Sequence, residues 1–89
     1  MEREVLVNEI YVVCLELGVL KHNSNENQIK NNIRKQLSEV VFIENLYNTV
    51  FRKAKQRGAF HKAKVKKLLI ELESLRLELE IESIIERGL

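Results

Sequence analysis

Residues 65–86 read VKKLLIELESLRLELEIESIIE, and whether this stretch is a strand or a helix decides the fold. From Leu75 to Glu82 apolar and charged residues alternate, the pattern of a half-buried strand. Two facts favour a helix. Leu, Glu, Arg and Lys are strong helix formers, and Val65, Leu68, Leu72, Leu75 and Leu79 advance by the threes and fours of a heptad seam. A second stripe, Ile70, Leu77, Ile81, Ile84 and Ile85, falls on roughly the opposite side. Glu73 and Glu80 separate the stripes along one edge; Glu71, Glu78 and Glu82 separate them along the other. A helix with two apolar stripes needs two packing partners. The chain can cover one stripe itself, and the second most simply meets another copy of the chain. Val65, Leu68, Leu72, Leu75 and Leu79 on one side, and Ile70, Leu77, Ile81 and Ile84 on the other, are therefore the candidate dimer interface.

Charge along the same region changes sign abruptly. Between Arg52 and Lys67 there are eight Lys/Arg residues and no acid; from Glu71 to Glu86 there are six Glu against the single Arg76. The first four cations, Arg52, Lys53, Lys55 and Arg57, end a helix, where positive charge is favourable. The next four, Lys62, Lys64, Lys66 and Lys67, begin one, where each opposes the macrodipole by roughly 0.3–1 kcal/mol. Two anionic sources would offset that cost. If 62–86 pairs antiparallel with a second copy about Ser74, Lys62 comes level with Glu86 and Lys66 with Glu82. A parallel pair would stack like charge on like. The other source is a nucleic-acid backbone, contacted by all eight cations, although no recognised DNA-binding motif is legible and Phe51 and Phe60 sit where core residues would.

Working toward the N-terminus, Arg57-Gly58 ends a helix and Ala59 begins the next, a helical hairpin about Gly58. The pattern Ala54…Gly58-Ala59-Phe60-His61-Lys62-Ala63 resembles the hairpin turn inside a tetratricopeptide repeat. The likeness covers some ten residues and occurs once, whereas such arrays need about three copies, so it is read as turn chemistry. Before the hairpin, Ile29, Ile33, Leu37, Val40, Ile43, Tyr47, Val50 and Ala54 form one apolar stripe. The expectation is a single helix of about thirty residues, with a break near Ser38 as the alternative. Ser24 or Asn25 caps its start, Asn25 with Gln28 approximating a capping box. The first segment, Glu2 to Leu17, is apolar over most of its circumference, with Glu2, Glu9 and Glu16 in one narrow stripe, expected to be a solvated face. Gly18 stands at its C-cap.

The 89 residues are read as one small helical domain, 1–89, short enough to need help from a disulfide, a metal or a partner chain. One cysteine, Cys14, rules out an internal disulfide, and a lone cysteine fits a reducing, cytoplasmic setting. No ligand spacing for zinc connects His22 or His61 to other residues, and a seven-residue step holds Glu2, Glu9 and Glu16 about 10 Å apart, too far to share an ion. Cys14 has neither His nearby in sequence, so a nucleophile–base pair is not legible. No cofactor is expected, and no enzyme. The apolar run from Val5 to Leu20 is too short to span a bilayer comfortably, and its polar stripe is acidic where interfacial helices carry Lys/Arg, so no membrane association is expected. The sequence thus predicts an all-α protein of three helices, or four, ending in a coiled-coil-like helix and assembled as a dimeric bundle. Its expected role is a small non-enzymatic protein–protein interaction module, a regulator or adaptor; the alternative is a dimeric nucleic-acid-binding regulator using 52–67.

Overall fold

Every stretch with apolar residues at helical spacing forms a helix in the computed structural model, which describes residues 2–21 and 25–88. Four helices follow one another: α1 (Arg3–Glu16), α2 (Glu26–Gln36), α3 (Val40–Gln56) and α4 (Ala63–Glu86). The alternating stretch 75–82 is helical. There is no strand among the described residues.

The expected thirty-residue helix is two. α2 ends at Gln36, the chain turns through Leu37 and Ser38, and Glu39 is the extended N-cap of α3. The two halves serve different partners, α2 packing on α1 and α3 on α4. Leu37, at 1% exposure, plugs the turn into the core, so the bend is anchored. Ser38 does not cap α3; the cap residue is Glu39, which makes no side-chain cap bond. Asn25 does cap α2, its Oδ1 accepting from the Gln28 N–H at 3.2 Å. Ser24 lies outside the described residues.

The hairpin about Gly58 forms as the sequence predicts. Gly58 takes φ +63°, the Gly58 N–H donates to the Lys55 carbonyl and the Ala59 N–H to that of Ala54, closing α3 with a Schellman turn. Buried Ala54 and Ala59 supply its apolar contact. α4 begins at Ala63, four residues beyond the expected start.

One core joins all four helices: Leu6, Val7, Ile10, Val13, Cys14 and Leu17 with α1, Ile33 and Leu37 with α2, Ile43, Val50 and Ala54 from α3, and Val65, Leu68, Leu69 and Leu72 from α4. α1 is less enclosed than its composition suggests, since Val5 and Val12 are 45% and 40% exposed. The first α4 stripe is thus the chain's own core. Val65, Leu68, Leu72 and Leu79 are buried and Leu75 packs against them half-buried, so these five are withdrawn as interface candidates. Among the described residues no helix is long and apolar enough to cross a membrane.

Candidate interaction surface

The outward side of α4 is apolar. Ile70 is 67% exposed, Leu77 47%, Ile81 56%, Ile84 43% and Ile85 67%. These five lie on the side of the helix away from Leu68 and Leu72, as the two-stripe pattern predicts. Toward its C-terminus α4 also outruns the bundle. Leu79 is its last buried residue; beyond it only Glu80 and Ser83 are half-covered. The final turns, with Ile81, Ile84 and Ile85, form an arm.

Beside the stripe, between α3 and the N-terminal half of α4, runs an open groove of about 460 Å³. Its apolar wall is Tyr47, Phe60, Leu69 and Ile70, and Lys66, Glu73 and Ser74 line it as well. Phe60 is not the core residue the sequence suggests: it is 37% exposed, its ring set edge-on to Phe51 at 5.0 Å. Phe51 in turn stacks on Tyr47 at 6.2 Å. An aromatic ladder thus runs from Tyr47 and Phe51, an i,i+4 pair on α3, to Phe60 in the turn before α4.

The charges sort themselves within the chain first. The acidic stripe of α1 is exposed at Glu2 and Glu16 and half-buried at Glu9, and two of its carboxylates carry ion pairs to α4. Glu9 receives Lys67 at 3.2 Å and Glu16 receives Lys64 at 3.1 Å. Rising numbers on α1 meet falling numbers on α4, so the two helices run antiparallel, and carboxylates of α1 stand beside the cationic N-terminus of α4. This is a third anionic source, absent from the two the sequence offered. Arg57 is also accounted for. Its guanidinium lies over Gly18, where a Cβ would come within 2.5 Å of Nη2. Gly18 has φ +76° and closes α1 with its own Schellman turn, so a cation sits where the helix presents its last carbonyls.

In the acidic half, Arg76 bonds to both Glu73 and Glu80, the latter at 2.8 Å. Glu71, expected along an exposed edge, is instead 8% exposed against α1. Lys67 lies 3.8 Å from its Oε1, while its Oε2 is buried without a hydrogen-bond partner among the described residues. Burial, and then the neighbouring Glu9 carboxylate, push the Glu71 pKa up. Once these internal pairs are drawn, Lys62, Lys66, Glu78, Glu82 and Glu86 have no ion-pair partner among the described residues. Nor have Arg52, Lys53 and Lys55, although Lys55 sits over the Phe51 ring at 5.4 Å.

Elsewhere the surface carries structural chemistry. Glu4 and Arg34 make a two-bonded pair at 2.7 and 2.8 Å that ties α1 to α2, lowering the Glu4 pKa and raising that of Arg34. Cys14 is a buried free thiol whose pKa burial pushes up to about 11. Among the described residues there is no cluster of three potential metal ligands; His22 lies outside them. Compared with protein-family models, with curated proteins and with solved structures, the chain matches none.

Proposed function

We propose that the protein is a small non-enzymatic interaction module that works as a homodimer, its α4 helices pairing antiparallel through their outward stripes. One observation carries this reading. Of the charges left over on α4 after internal pairing, an antiparallel register about Ser74 brings Lys62 level with Glu86 and Lys66 level with Glu82, and leaves Glu78 level with Ile70. Lys64 and Lys67, which α1 already engages, are not needed. Each exposed pair contributes only about 0–1 kcal/mol. They select direction, and burial of Ile70, Leu77, Ile81 and Ile84 supplies the driving force. A protein partner of the dimer, as regulator or adaptor, belongs to the same reading.

Sedimentation equilibrium tests it. The natural chain is expected to be a dimer at micromolar concentration, Lys62→Glu with Lys66→Glu to dissociate more readily, and the further changes Glu82→Lys with Glu86→Lys to restore association. A monomer throughout the micromolar range removes the reading.

The unpaired Arg52, Lys53 and Lys55 favour a second reading, in which the dimer also contacts a polyanion at the hairpin tip with Lys62 and Lys66. It predicts binding to generic duplex DNA that weakens steeply as salt rises. Absence of binding at about 50 mM salt eliminates it.

A further inference from the structure

We infer that the cleft between the start of α1 and the second half of α4 receives a lysine side chain of a protein partner. The inference gives the interaction reading a partner chemistry and does not need the pairing of α4. The cleft, of about 110 Å³, lies on the α1 edge of α4. Leu6, Leu75 and Leu79 supply its apolar surface, and Glu2, Glu71, Glu78 and Glu82 line it with carboxylates. Arg3 is the one cation among the lining residues. Glu2, Glu78 and Glu82 have no ion-pair partner among the described residues, and neither has Arg3.

Glu71 turns this negative surface into a site. Its side chain lines the cleft yet the residue is only 8% exposed, and its Oε2 is buried without a hydrogen-bond partner among the described residues. Leaving a buried carboxylate oxygen unpaired is destabilising, and a cationic donor relieves it. Oε1 already faces Lys67 at 3.8 Å, so one oxygen is free. That suits the single-point contact of an ammonium and not the two-bonded fork of a guanidinium. The three leucines match the unbranched stem of lysine, which buries its methylenes while its head stays charged. A metal ion does not fit, since among the described residues no group of three potential ligands could hold one. Along α4, Glu71 and Glu78 stand about 10 Å apart. Lysines three residues apart on an extended segment span about the same distance, so a basic segment seated in the cleft reaches both carboxylates.

The test is a titration of the isotope-labelled full chain with the peptide acetyl-Gly-Lys-Gly-Gly-Lys-Gly-amide at low salt, followed by amide chemical shifts. The expected result is a saturable set of shifts concentrated in residues 2–6 and 71–82. Glu71→Gln is expected to weaken binding at least about tenfold, while Glu44→Gln, an exposed change on α3, leaves it unchanged. Arg3→Gln, which removes the competing cation, is expected to tighten it. Glu82 is left untouched, because the α4 pairing uses it too. Shifts spread evenly over the acidic surface, or unchanged affinity in Glu71→Gln, overturn the cleft as a site. Equal or tighter binding of the same peptide with Arg in place of both Lys overturns lysine as the occupant. Spermidine binding as tightly as the peptide overturns a protein source. Peptide binding that appears only after acetylation of the chain's own α-amino group assigns the cleft to that group and overturns the inference as well. Sedimentation of the natural chain reads self-association separately, so either reading can fail alone. Circular dichroism of each variant establishes that the helices are intact.

Discussion

At the scale of single residues, Glu71 bears the largest conflict. It is a carboxylate taken out of water, beside another carboxylate, with Lys67 shared between Glu71 and Glu9. Its folded pKa is raised above the ordinary value, so the folded chain holds the proton more tightly than the unfolded one. The stability associated with that proton is fully present below the unfolded value near 4.5 and is lost as pH rises through the folded pKa. Glu71→Gln keeps an acceptor and gives Glu9 a donor. It is expected to raise stability at neutral pH by about 1 kcal/mol and to flatten this part of the pH profile, as read by urea unfolding at several pH values. Glu4 has the opposite sign: its folded pKa is lowered by Arg34, so its contribution is present at neutral pH and lost on acidification. Gly18 supplies a second prediction. Gly18→Ala strains the left-handed backbone, at about 1–2 kcal/mol, and drives the Arg57 guanidinium off the end of α1. A lower thermal midpoint is expected, with Arg57→Ala recovering part of the steric component only.

At the scale of elements, the helices are legible in the sequence and their partners are not. Local spacing suffices to make α4 a helix and to divide it into an inward and an outward stripe, because both follow from its own residues. The division of 26–56 into α2 and α3 is not legible, since the apolar stripe runs through Leu37 and Val40 without losing phase. What the sequence does not show is that the two halves pack on different neighbours, α2 on α1 and α3 on α4. The role of Glu9 and Glu16 is hidden for the same reason: a seven-residue Glu stripe looks solvated until α4 brings Lys67 and Lys64 to it. Glu71 escapes the sequence because an edge position on an isolated helix becomes an interior one once α1 docks. The arm gives this scale its prediction. Amides of residues 82–86 are expected to exchange rapidly with solvent in dilute, monomeric protein, and at least about tenfold more slowly at concentrations where the dimer forms. Amides of 66–72, on the covered half of α4, are expected to be protected in both.

At the scale of the whole molecule, the basic block and the acidic block are divided between inside and outside. Lys64 and Lys67 go to α1, Arg57 to the end of α1, and Glu73 and Glu80 to Arg76, which leaves unpaired charges of opposite sign toward the two ends of one helix that also bears an exposed apolar face. A chain this small gains most from a partner that covers that face. The central claim is the direction of that pairing, and disulfide formation at Ser74 tests it most directly. Ser74 is exposed at the proposed centre of the pair, and Cys14 is buried with its thiol raised to about 11, so it stays out of the exchange. On mild oxidation Ser74→Cys is expected to convert almost wholly to a covalent dimer, while Ile84→Cys, whose counterpart lies far along the antiparallel partner, stays monomeric under denaturing conditions. Ready crosslinking of Ile84→Cys to itself, with Ser74→Cys left free, would show a pairing in the other sense and contradict the account.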